Sequence, residues 1–155
     1  MDIRFIEAFR VATNNVLSMM AQITPNFAEP VMRDSRKAFG EVTGIIGMTA
    51  SGFNGNLMLS FDKECVLGVV EGLVGERYPK ITSEVVDAVG EITNMVCGGA
   101  KAILSEQGLV FDMATPTIVV GQGIEISQSK GQRAISLLGT TSHGQFVIES
   151  SFLVR

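Results

Sequence analysis

The sequence holds 155 residues, 46% of them apolar, with 12 basic and 16 acidic side chains and a net charge of −4. That length suits one domain burying roughly two thirds of its unfolded surface, and scattered cations with one Tyr and no Trp speak against nucleic acid as a partner. Asp2, Arg4, Glu7 and Arg10 interrupt the N-terminal apolar positions, unlike a signal peptide, and no stretch reaches the ~18 uninterrupted apolar residues that mark a membrane insertion.

From Asp2 to about Gln22, Ile3, Ile6, Phe9, Val16, Met19 and Met20 recur at helical spacing, and Pro25 closes this first predicted helix. Three strands follow, at 29–33, 41–50 and 56–61, the last two joined by the turn Ser51-Gly52-Phe53-Asn54-Gly55. Asp62 is placed to cap a short helix that Gly75 ends. Thr82 is placed to cap a longer one reaching about Gln107, with Gly108 beyond it and Ile81 and Val86 spaced as a hydrophobic staple. Strands at 117–121, 133–141 and 145–154 complete the chain, the last two joined by Ser142-His143-Gly144. Helix plus three strands, a short helix, then helix plus three strands predicts an α+β fold. Its two halves share one mixed or antiparallel sheet with the long helices packed on it, and no residue-level repeat joins the halves. The long apolar strands around Gly44–Ala50 and Phe146–Val154 suit a sheet edge that pairs with a second copy, so a homodimer is expected.

Along the second long helix, Val85, Val89, Ile92, Val96, Ala100 and Ile103 step by three and four and mark the buried face. Glu84, Asp87, Glu91, Asn94, Gly98, Lys101 and Ser105 step likewise and form an opposite, exposed ridge. Two features of that ridge work against helix stability. Asp87 and Glu91 are like charges four apart, and Gly90, Gly98 and Gly99 each cost about 0.5–1 kcal/mol relative to Ala. The missing Cβ atoms leave room for another molecule to approach closely. A solvated helix face would show the same periodicity, and spacing alone does not separate the two readings.

The run Asp87-Ala-Val-Gly-Glu91-Ile-Thr-Asn94-Met-Val-Cys-Gly-Gly-Ala-Lys101 is similar to the signature of the CheC/CheX/FliY family of phosphatases acting on CheY-phosphate. That signature is Asp or Ser, then Glu four residues on, then Asn three further on, followed at a distance by Pro. Pro116 supplies the proline, one residue earlier than in the family pattern. The resemblance extends over nearly the whole chain, through the segments 5–20, 41–61 and 115–123. Gly98-Gly99-Ala100-Lys101 stands where many members have Gly-Asn-Ala-Lys. CheC-type members usually carry two signatures; here the nearest spacing in the first helix is Ile3, Glu7 and Arg10, so one copy is present, as in the CheX branch.

This resemblance implies a phosphatase whose substrate is a phosphorylated CheY-like response regulator. The regulator brings its own Mg²⁺ and active-site Lys, so this chain binds no cofactor and no metal. Asn94 would orient the attacking water and Glu91 would pair with that Lys. Asp87, Gly98, Lys101 and Pro116 would border the docking surface. The alternative implied by the same family is an adaptor that binds a regulator or flagellar switch component without hydrolysis.

Other residues carry less. His143 is read as an exposed turn residue, Gly121-Gln122-Gly123 lacks the following helix that a phosphate loop needs, and Met19 and Met20 are read as core filling. Cys65 and Cys97 lie singly in apolar helical runs, without the histidines a four-ligand metal site would need, and are read as reduced thiols of a cytoplasmic protein.

Overall fold

The computed structural model describes residues 3–33, 37–50, 52–125 and 134–154. Asp2, Ser51 and Arg133, which the predicted first helix, hairpin turn and penultimate strand included, lie outside them. Helix α1 spans Ile3–Ala21, then come strands β1 (Asn26–Phe27), β2 (Val31–Arg33), β3 (Val42–Ala50) and β4 (Phe53–Phe61) and helix α2 (Lys63–Val74). Helix α3 (Ser83–Glu106) opens the second half, followed by β5 (Asp112–Met113), β6 (Thr117–Val120), β7 (Ala134–Thr140) and β8 (Gln145–Val154).

The predicted caps form. The Asp62 carboxylate accepts from the Cys65 amide at 2.8 Å and, with its other oxygen, from the Gln145 amide at 2.8 Å. One side chain therefore starts α2 and ties it to the last hairpin. Gly75 ends α2 with φ of 79°, a left-handed conformation that glycine adopts without steric cost. Thr82 accepts from the Val85 amide and starts α3.

Among the described residues all strand pairings are antiparallel and form one sheet in the order β1-β7-β8-β4-β3-β5, with β2 also on β7 and β6 also on β3. The halves do share a sheet, and they interleave. β1 and β2 of the first half lie on β7 of the second, while β5 and β6 of the second lie on β3 of the first; β4 and β8 pair at the centre. This order overturns the expected edges. β3 and β8 each have neighbours on both sides, so their apolar length reflects burial within the sheet, and the reason given for self-pairing through them is removed.

The helices cover one face. Ile46, Leu57, Leu59, Phe61, Leu137, Phe146 and Ile148 of the sheet pack with Phe5, Phe9 and Leu17 of α1 and Val85, Val89, Ile92 and Val96 of α3 in one core. Helices α1 and α3 touch at small residues: a Cβ placed on Gly99 would stand 3.2 Å from that of Ala12. Met19 and Met20 are exposed, against the core reading. The buried stripe of α1 runs through Phe5, Ile6, Phe9, Ala12, Thr13 and Leu17, which turns its last apolar residues outward.

Candidate functional site

Helix α3 is bedded on the sheet by Thr93, which is fully buried. Its hydroxyl donates to the Val89 carbonyl at 2.8 Å, a bond to the preceding turn that satisfies a polar group in an apolar setting. Directly beneath lies Gly44 of β3, where a Cβ would stand 2.2 Å from the Thr93 hydroxyl. The absence of that Cβ lets the helix sit down on the strand. With Thr93 held inward, its neighbour Asn94 is exposed, and so is Glu91 one turn earlier. On the flank, the side chain of Ile118 in β6 comes within 3.9 Å of the position a Cβ on Gly90 would occupy. Thr93, Gly44 and Ile118 escaped the sequence reading. Only the mid-helix threonine, a residue of modest helix propensity, was a signal.

The predicted ridge exists. Glu84, Asp87, Glu91, Asn94, Gly98 and Ser105 are exposed, and Val85, Val89, Ile92, Val96 and Ala100 opposite are buried. Gly98 has nothing within 4 Å of its missing Cβ, so the helix surface there is open. Lys101 is half-buried and faces Asp112 of β5 at 4.0 Å, which links the far end of the ridge to the edge strand. Pro116 is half-buried in the segment between β5 and β6, the two short strands that run along β3. Among the described residues neither Asp87 nor Glu91 makes an ion pair. The arrangement is therefore an exposed carboxylate and an exposed carboxamide three residues apart on one helix, chemistry suited to engaging a cation and a water on another molecule.

The thiols, the histidine and the Gly-Gln-Gly segment stand apart from the exposed ridge. Burial pushes the Cys97 and Cys65 thiols each up to about 12, so both are protonated at neutral pH and are poor nucleophiles. A Cys65→Ala/Cys97→Ala variant is accordingly expected to keep wild-type turnover, measured as phosphate release, with its cost confined to stability. His143 is exposed with its ring against Gly68, where a Cβ would meet it at 2.2 Å. Gln122 of the Gly-Gln-Gly segment donates to Glu41 at 2.6 Å, and among the described residues, which stop at Glu125, no helix begins there. Among the described residues no group of three or more His, Cys, Asp or Glu side chains could hold a metal ion, and no helix is long and apolar enough to cross a membrane.

The comparisons with known proteins bear on this same region. Residues 42–138, which contain β3, all of α3 and Pro116, match the family model described as chemotaxis phosphatase CheX. The CheY-P phosphatase CheX of Thermotoga maritima is 28% identical over 127 residues, 81% of each chain. A CheC-like superfamily protein from Shewanella sp. PV-4 has 36% identity over 99% of both chains, with a TM-score of 0.92. The CheX of a CheX–CheY–BeF₃–Mg²⁺ complex from Borrelia burgdorferi has 27% identity over 97% of both chains, with a TM-score of 0.76. The match to the family model spans more than half the sequence and includes the whole candidate ridge, and the chain belongs to the chemotaxis phosphatase CheX family.

Proposed function

We propose that this chain hydrolyses the aspartyl-phosphate of a CheY-type response regulator, with Asn94 orienting the attacking water and Glu91 pairing with the regulator's active-site Lys. The observation that carries the reading is the joint exposure of Glu91 and Asn94 on one ridge inside the family-matched segment. In the reaction the water oxygen bonds to phosphorus and the bond between phosphorus and the aspartyl oxygen breaks. Its electron pair goes to the regenerated carboxylate, and the water's protons leave with inorganic phosphate and solvent. Little covalent chemistry is asked of this chain, because such a transfer is accelerated chiefly by positioning and by charge on the equatorial oxygens. The amide of Asn94 both donates and accepts, so it can fix a water in line. The Mg²⁺ is the regulator's, consistent with the relative solved together with CheY, BeF₃ and Mg²⁺. Asp87, Gly98, Lys101 and Pro116 border the docking surface. The reading places the protein in the cytoplasm with its regulator.

Glu91→Ala separates docking from chemistry. Loss of the charge pair is expected to raise KM for the phosphorylated regulator about tenfold, equivalent to ~1.4 kcal/mol. Glu84→Ala, on the same ridge outside the signature, should stay within about twofold. The check is a phosphate-release titration against purified phospho-regulator. Equal effects of the two substitutions would assign the ridge to general electrostatics and favour the adaptor reading.

A further inference from the structure

The fold accounts unequally for the glycines Gly90, Gly98 and Gly99 of α3. Gly99 faces Ala12 of α1, where a Cβ would come within 3.2 Å, and Gly90 lies against Ile118 of β6. Gly98 has no such neighbour. It is exposed, nothing stands within 4 Å of its missing Cβ, and its backbone is ordinary helix without the positive φ that favours glycine. Alanine would fit there and would hold the helix better. Neither packing nor backbone conformation within this chain therefore requires a glycine at 98, and the residue weakens the helix that carries the candidate site.

Its position supplies a reason. Gly98 follows Asn94 by four residues and Glu91 by seven, about one and two turns, so its direction from the helix axis falls between theirs. Asn94 is short, with its amide carried on a single methylene. To hold a water about 3–3.5 Å from phosphorus it must bring the main chain of α3 close to the partner's reacting centre. Because α3 is seated on β3 through Thr93 and Gly44, Asn94 cannot advance independently of the rest of the molecule. The bulk of the side chains next to Asn94 then limits the approach, and at 98 there is none.

We propose that Gly98 is a positioning residue for the phosphatase reaction: its bare backbone meets the rim of the regulator's phosphorylation pocket and sets how far Asn94 enters. This role rests on the reading of α3 given above. A side chain at 98 acts as a spacer that holds the helix back. The shorter Asn94 loses its place before the longer Glu91 does, so chemistry suffers more than binding. The helix is weakened in exchange for reach.

The experiment compares Gly98→Ala and Gly98→Leu with the native chain by thermal unfolding and by a phosphate-release titration against phospho-regulator. Gly98→Ala is expected to raise Tm by roughly 2–4 °C, because alanine replaces glycine in an unobstructed helix. It should at the same time lower kcat about tenfold, and Gly98→Leu about a hundredfold, with KM within about threefold for both. A residue with a merely structural role would not raise Tm and lower kcat together. Folded variants with native kcat overturn the inference, as does a loss confined to KM, which would make position 98 a docking contact only. Should Gly98→Leu not fold, Gly98→Ala decides by the same criteria. Asn94→Ala separates the two levels: if it keeps wild-type turnover the reading of α3 fails and this role with it, whereas an inactive Asn94→Ala beside a fully active Gly98→Leu overturns the role of Gly98 alone.

Discussion

Asn94→Ala is expected to lower phosphatase activity by on the order of 10²-fold, to the regulator's own rate, while leaving affinity for the phosphorylated regulator within about twofold. The side chain is exposed, so its removal opens no cavity, and alanine is the better helix former at that position. Folding stability should therefore hold or rise slightly. The loss falls on kcat because the amide is asked to hold a water that matters only as the phosphorus–oxygen bond forms. Single-turnover phosphate release gives the rate, and titration of a labelled phospho-regulator gives the affinity. A variant that hydrolyses as fast as wild type would transfer the whole proposal to the adaptor reading.

The second large effect is expected at Gly44. Glycine within a strand ordinarily weakens it, so Gly44→Ala would stabilise β3 if space allowed. Space does not allow it: the new methyl would stand 2.2 Å from the Thr93 hydroxyl, far inside van der Waals contact. Thr93 cannot swing away cheaply, being short, β-branched and bonded to Val89. Helix α3 must lift instead, at a cost of about 1–3 kcal/mol. That corresponds to a fall in Tm of roughly 2–4 °C per kcal/mol for a chain of this size. Turnover should drop with it, since Asn94 adjoins the lifted residue. Thr93→Ala in the same chain removes the hydroxyl and leaves only the Cβ of residue 93, 3.2 Å from the new methyl, so the double variant should be more stable than the sum of the single losses predicts. Thermal unfolding of the four proteins of this cycle checks it. A Gly44→Ala chain as stable as wild type would show that α3 is not seated on β3 in this way.

What the sequence made legible was local. The caps at Asp62, Gly75 and Thr82 were readable because each depends on residues within one turn. The two-residue strands β1 and β5 were not, as they are too short to carry a period. Sheet order was also hidden. An apolar run such as 42–50 suits a central strand or an exposed edge equally, and only the pairing with β5 and β6 decides. At the site, periodicity produced the ridge and the family resemblance singled out Glu91 and Asn94. The contact between Gly44 and Thr93 joins a strand to a helix distant in sequence, so no local pattern announces it.

The exchange of outer strands has a further consequence, for how the chain reaches its native state. β1 and β2 can dock only after β7 exists, near the other end of the sequence, and β5 and β6 require β3 from the first half. Most of the sheet is thus made of pairings remote along the chain, a topology of high contact order that folds slowly because loop closure precedes any gain from packing. Neither half is a separable folding unit. Cut between α2 and α3, each fragment would keep an apolar hairpin with an open edge and a helix with nothing to cover, and would find its missing strands only on the complementary fragment or on another copy of itself.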